Sequence, residues 1–185
     1  STDETILAVT RQHKLVDLEI EQQINTEIVG CIYKGVVKNI VPAVDGIFVD
    51  IGIGKNAFLR RKDLLNEKRF PTEGSPILAQ VIKSDTDMKG ALITEKISMF
   101  GKYAVTLSGT GYIGVSKKIR QESVRKRLKE IGKEICAEHM GLIIRTTAEN
   151  ADMDEFRKDI TRLKENWDII QKRFRMEKSP TLLYR

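Results

Sequence analysis

The sequence predicts an α+β protein in which a small β-barrel precedes a mixed α/β unit. Three observations carry this expectation. Between Val29 and Ser98, short β-rich runs alternate with Gly, Pro and Asp, the punctuation of strands and turns. Beyond Gly101 the apolar period becomes helical, over Ser123–Glu138 and again over about Asp152–Arg175. The charge balance changes at the same place: residues 1–100 hold 13 Lys and Arg against 14 Asp and Glu, whereas residues 101–185 hold 19 against 12. A chain of 185 residues fits one domain or two small ones. Its net charge of +6 suits a polyanionic partner.

Thr5–Thr10 and Leu15–Glu21 are strand candidates joined by the polar turn Arg11–Lys14. In the second, Asp17, Glu19 and Glu21 alternate with Val16, Leu18 and Ile20, which predicts a half-buried strand. A lone hairpin is marginal in water, so this one is expected to pair with other strands, including strands outside the chain. The barrel follows. Cys31–Val41 and Gly46–Ile51 flank the turn Pro42–Asp45, Asn56–Leu59 follows a glycine break at Gly52 and Gly54, and Ile77–Ile82 leads through the acidic turn Asp85–Asp87 to Ala91–Thr94. With Tyr33–Gly35, Gly46–Asp50, Gly52, Ala57–Leu59 and the late Lys89–Gly90, this stretch resembles an S1-type OB-fold, a five-stranded barrel that binds oligonucleotides on one face. Phe48 and Phe58 stand on neighbouring strands with Lys34, Lys38 and Lys55 nearby, a pattern in which bases stack on rings and phosphates meet cations. A strand phenylalanine more often fills a core; the S1-like match favours the surface.

The second unit opens with Tyr103–Leu107 as a strand, a glycine-rich turn over Ser108–Gly114 whose spacing is not that of a phosphate cradle, and Val115–Ile119 as a further strand. In the helix over Ser123–Glu138, Val124, Leu128, Ile131 and Ile135 form the apolar stripe, and Arg125, Lys126, Lys129 and Lys133 read as a solvated face. Gly141–Thr146 reads as a short buried strand ending in Arg145–Thr146. The long helix takes Asn150 or Asp152 as its cap and presents Phe156, Ile160, Leu163, Trp167, Ile170 and Phe174 as core or interface. Pro180 ends it, and the last five residues read as an element cut short. Cys31, Cys136, His13 and His139 form no metal-ligand spacing and read as buried thiols and surface imidazoles. The sequence has no long apolar run and no signal peptide, which predicts a cytoplasmic protein; it opens on Ser1 rather than Met, as a trimmed chain would.

Ile32–Gly35, Phe48–Asp50, Ala57–Leu59, Lys89–Ala91, Gly101 with Tyr103 and Val105, Gly114–Ile119 and Gly141–Thr146 resemble, in order and gaps, a bacterial RNase E/G family endoribonuclease. The resemblance runs from about residue 5 to 185. It implies that residues 1–28 are a hairpin of an RNase H-like subdomain, interrupted by an S1-type barrel at 29–100. Residues 101–178 would be an α/β 5′-sensor region, and 179–185 a return toward the RNase H-like part. It further implies that Phe48, Phe58 and Lys89 hold single-stranded RNA, and that Lys117 supports them where the family often has arginine. Gly101 and Val105 would give backbone contacts to a 5′-monophosphate, and Arg145 and Thr146 side-chain contacts. An arginine fork beside a hydroxyl suits a phosphate's several oxygens; without the family, Arg145 would read as an ordinary surface arginine.

The chain departs from the pattern at Ala57, where such barrels often have Gly and the loop before Phe58 could shift. It departs again at Arg60, where the family often has Pro and where arginine adds a cation beside the RNA face. The family's magnesium-binding aspartates and zinc-linking cysteines lie in a later subdomain, so no residue of this chain is expected to bind either metal. Asp85–Asp87 reads as a solvated turn. The expected function is the RNA-binding, end-sensing portion of a homo-oligomeric endoribonuclease of RNA processing and decay. The alternatives are a non-enzymatic S1-type adaptor and an assembly module built on the long helix.

Overall fold

The computed structural model describes residues 4–11, 14–22, 28–86, 89–136 and 140–185. β1 (Glu4–Arg11) and β2 (Lys14–Gln22) form a two-stranded antiparallel sheet, with Leu7 opposite Glu19 and a register shift between Val9 and Thr10. The turn between them and both histidines lie wholly or partly outside the described residues, as does Asp87 of the acidic turn.

The barrel is built from β3 (Ile32–Val41), β4 (Gly46–Asp50), β5 (Ala57–Arg60), β6 (Pro76–Lys83) and β7 (Leu92–Thr94), in the order β3-β4-β5-β7-β6. It closes because β3 serves two neighbours: its first half pairs with β6 and its second half with β4. Alternation along β4 and β5 helps fill the interior. Ile47, Val49, Ala57 and Leu59 are fully buried, while Phe48, Asp50, Phe58 and Arg60 between them face outward. Gly35 sits where closure brings strands together, since a Cβ there would lie 2.5 Å from Val49. Ala57 is fully buried and Phe58 keeps its register opposite Phe48, so this departure from the family pattern leaves the pair aligned.

The second unit is a three-stranded sheet, β8 (Ala104–Ser108), β10 (Met140–Ile144) and β9 (Ile113–Val115), covered by α1 (Glu122–Ile135) and α2 (Met153–Met176). Asp152 caps α2 by accepting from the Asp154 and Glu155 amides at 2.9 and 3.1 Å. Acidic residues in its first turn and Arg173 and Arg175 in its last complement the helix dipole. Phe156, Ile160, Leu163 and Ile170 are buried, with Trp167 and Phe174 packed at the margin, so the stripe is core. Three sequence expectations change. The strand expected over Val115–Ile119 lies earlier, at Ile113–Val115, where it pairs in parallel with β10, and Lys117–Lys118 is a turn. β10 ends at Ile144, and its Ile143 is 41% exposed, so the strand is not buried throughout. Arg125 is half-buried rather than on a solvated face.

The last strand, β11 (Thr181–Tyr184), pairs antiparallel with β3 beyond the point where β4 leaves it. Through this pairing the final segment joins the two units. Ile32 of β3 and Leu183 of β11 belong to the core of the second unit. Among the described residues no helix is long and apolar enough to cross a membrane.

Candidate nucleic-acid interface

On the outer face of the barrel Phe48 and Phe58 are direct cross-strand partners, with ring centroids 5.4 Å apart and planes tilted by 50°. Both are half-buried and neither belongs to a core cluster. Gly46 makes room for the pair: a Cβ there would fall 2.3 Å from the Phe58 ring. Lys38 occupies the irregularity of β3 between Val37 and Asn39, opposite β4, and its ammonium lies 3.3 Å from Asp50, two residues along the same face as Phe48. Arg60, two residues beyond Phe58, pairs with Asp63.

The loop carrying Lys89 is fastened to the start of β5. Gly90 packs so closely on Asn56 that a Cβ would lie 1.9 Å from its carbonyl oxygen, and the Phe58 amide donates to Ala91 O at 2.7 Å. Lys55 holds the same loop by donating to Thr86 O, and Lys89 itself is exposed. Lys34 is the correction. It is buried, its Nζ donates to the Glu177 carbonyl at 2.6 Å and stands 5.1 Å from the Phe174 ring centroid. Alternation along β3 turns this lysine toward the end of α2, away from the Phe48–Phe58 face, where it ties the two units together.

A second cluster forms where the segment 101–103, the turn after β9 and the end of β10 meet. The Arg145 amide donates to Tyr103 O at 2.8 Å, and its Nη1 donates to Gly101 O at 3.0 Å and Lys102 O at 3.4 Å. Thr147 Oγ1 donates to Lys102 O, and the hydroxyls of Thr146 and Ser116 lie 3.2 Å apart. The Ser116 amide donates to Ile144 O, which brings exposed Lys117 and Lys118 beside Thr146. Arg125 sets that turn from below through the Ser116 and Ile119 carbonyls at 2.7 and 3.0 Å. The Gly101 amide is engaged by Ala104 O, and Val105 lies within β8 opposite Ile143. Arg145, Thr146, Gly101 and the Lys117 turn therefore come together, and Val105 is on the adjoining strand.

Sequence reasoning missed Ser116, Arg125, Thr147 and Asp159. Asp159, on α2, is buried; its Oδ2 accepts from the Tyr103 amide at 2.8 Å and its Oδ1 from Arg162 at 2.8 Å. Burial raises its pKa, but the Tyr103 amide, Arg162 and the Lys102 amide outweigh this and hold the carboxyl below the ordinary aspartate range. Nearby, the Tyr103 hydroxyl and then Lys102 lower the pKa of Glu155. No spacing signals the contact of Asp159 with the Tyr103 amide, because the two residues stand 56 positions apart.

An aromatic pair with cations nearby, on the outside of a closed five-stranded barrel, is the arrangement of a nucleic-acid-binding module. Residues 26–94 match the S1 RNA binding domain and residues 98–185 match the Ribonuclease E/G family. The chain is similar to Ribonuclease G of Escherichia coli strain K12, 34% identical over 187 residues that cover 92% of this chain and 38% of that protein. It is 35% identical to Ribonuclease G of Haemophilus influenzae over 188 residues, with the same coverage of 92% and 38%. It is 33% identical to Ribonuclease E of Synechocystis sp. over 177 residues, covering 90% of this chain and 26% of that protein. The chain belongs to the ribonuclease E/G family, as a region spanning well under half the length of these relatives.

Proposed function

We propose that this chain is the RNA-binding and 5′-end-sensing portion of an endoribonuclease that acts on single-stranded RNA in cytoplasmic RNA processing and decay. The observation that carries the reading is the Phe48–Phe58 pair, aligned on the outside of the barrel with Lys38 on the same face and the Lys89 loop fastened at its end. Two bases stack on the rings and the cations meet the flanking phosphates. The strand's 5′ end enters the second cluster. There Arg145 and the Thr146 hydroxyl meet a terminal monophosphate, with Lys117 adding positive potential and the backbone of Gly101 and Val105 lining the pocket. A 5′-hydroxyl offers neither the charge nor the acceptors. The binding energy gained at both places orients the scissile bond in the complete protein, a homo-oligomer in which the hairpin of β1 and β2 joins an RNase H-like subdomain. Among the described residues no three His, Cys, Asp or Glu side chains come together as a metal site.

The test compares two RNAs identical except for a 5′-monophosphate or a 5′-hydroxyl, at one salt concentration. A preference of roughly tenfold for the monophosphate is expected, equivalent to about 1.4 kcal/mol. Arg145→Gln removes that preference and spares the affinity for the 5′-hydroxyl RNA. Equal affinities of the unaltered chain for the two RNAs overturn the end-sensing reading.

A further inference from the structure

The pocket is held from behind by a buried charge that the reading above does not use. Gly101 lies directly against the carboxylate of Asp159: a Cβ at residue 101 would sit 2.4 Å from Oδ2 and 2.9 Å from Oδ1. That carboxylate accepts the Tyr103 amide. On the other side of the same segment, the carbonyls of Gly101 and Lys102 point to Nη1 of Arg145 and the Lys102 carbonyl also to the Thr147 hydroxyl. Peptide units in this segment thus run with N–H toward an anion and C=O toward a cation. A peptide fixed in this sense is stabilised at both ends, and reversing it would point carbonyl oxygen at carboxylate.

We propose that Asp159 is a positioning residue of the pocket: through the backbone of residues 101–103 it orients the Arg145 guanidinium toward a terminal phosphate. The inference rests on the end-sensing reading and deepens it. Arg145 is exposed on a long side chain with many rotamers, and ordering such a chain costs binding energy when it happens at the moment of binding. Two carbonyls held at fixed positions order it beforehand. Arg162, which donates to Oδ1 from a half-exposed position, holds the carboxylate in turn. Gly101 is required because any side chain there would occupy the space of the carboxylate.

The experiment measures affinities of the whole 185-residue chain for the paired 5′-monophosphate and 5′-hydroxyl RNAs, with melting temperatures, for Asp159→Asn, Arg162→Gln, Arg145→Gln and the double variant Asp159→Asn/Arg145→Gln. In Asp159→Asn the preference is expected to fall from roughly tenfold to within about twofold of unity, while the affinity for the 5′-hydroxyl RNA is unchanged. Arg162→Gln, a change at an exposed partner, lowers the preference part of the way and serves if Asp159→Asn fails to fold. In the Arg145→Gln background Asp159→Asn is silent toward the 5′-monophosphate RNA, the non-additivity expected of two residues acting as one unit. A full preference retained in Asp159→Asn, or in Arg162→Gln where the former does not fold, overturns the proposal and leaves end sensing standing. So does an equal loss for both RNAs, which marks a merely structural role. Absence of any preference in the unaltered chain removes the end-sensing reading itself, and this proposal with it.

Discussion

Replacing Phe58 or Phe48 by Ala separates a surface platform from a core. A fully buried phenylalanine cut to alanine costs about 3–5 kcal/mol. These two are half-buried, lie outside both core clusters, and touch each other with centroids 5.4 Å apart. The pair interaction is worth about 0.5–1.5 kcal/mol beyond burial. Each single change is thus expected to cost about 1–2 kcal/mol of stability, below the core range. For a chain of this size that lowers the melting temperature by about 2–8 °C. Loss of a base-stacking ring costs about 1–3 kcal/mol of RNA affinity, or roughly 5- to 150-fold. Fluorescence anisotropy with an unstructured RNA and a thermal melt on the same samples give both numbers. Stability losses of 3–5 kcal/mol in both variants, with unchanged affinity of the folded protein, would refute the platform.

Two further predictions follow from the same geometry. Lys34→Met takes the ammonium from the Glu177 carbonyl and is expected to cost about 1–3 kcal/mol of stability while leaving RNA affinity unchanged; a selective loss of affinity at unchanged melting temperature would restore Lys34 to the interface. Affinity should fall with salt at about 0.7 logarithmic units of binding constant per logarithmic unit of salt for each phosphate neutralised. Engagement of three or four among Lys38, Lys89, Lys117 and Arg145 therefore gives a slope of about −2 to −3, and an affinity that is flat in a salt titration speaks against a polyanionic partner.

Much of this architecture is written in local pattern. Alternation along β4 and β5 makes Ile47, Val49, Ala57 and Leu59 interior and leaves Phe48 and Phe58 outside, and the 3.6-residue period together with Asp152 defines α2. Period and turn chemistry are properties of neighbouring residues, so they can be read before the chain folds. The glycine-rich stretch before Gly114 was harder. β9 has only three residues and is a strand because β10 lies beside it, and no local run of residues encodes that pairing. The fate of individual cations was not legible either. Lys34, Lys38 and Lys89 are alike in sequence, yet one is buried against Glu177, one is paired with Asp50 and one is exposed. Which of these happens depends on what the fold sets opposite each ammonium, and for Lys34 that is a carbonyl 143 residues away. The same holds for Asp159 and Gly101. The sequence by itself determined the kind of elements, the barrel's inner and outer faces, and the excess of positive charge after residue 100. Only the tertiary structure decided which charged groups are engaged by protein partners, because a buried charge is tolerated where distant segments supply its hydrogen bonds.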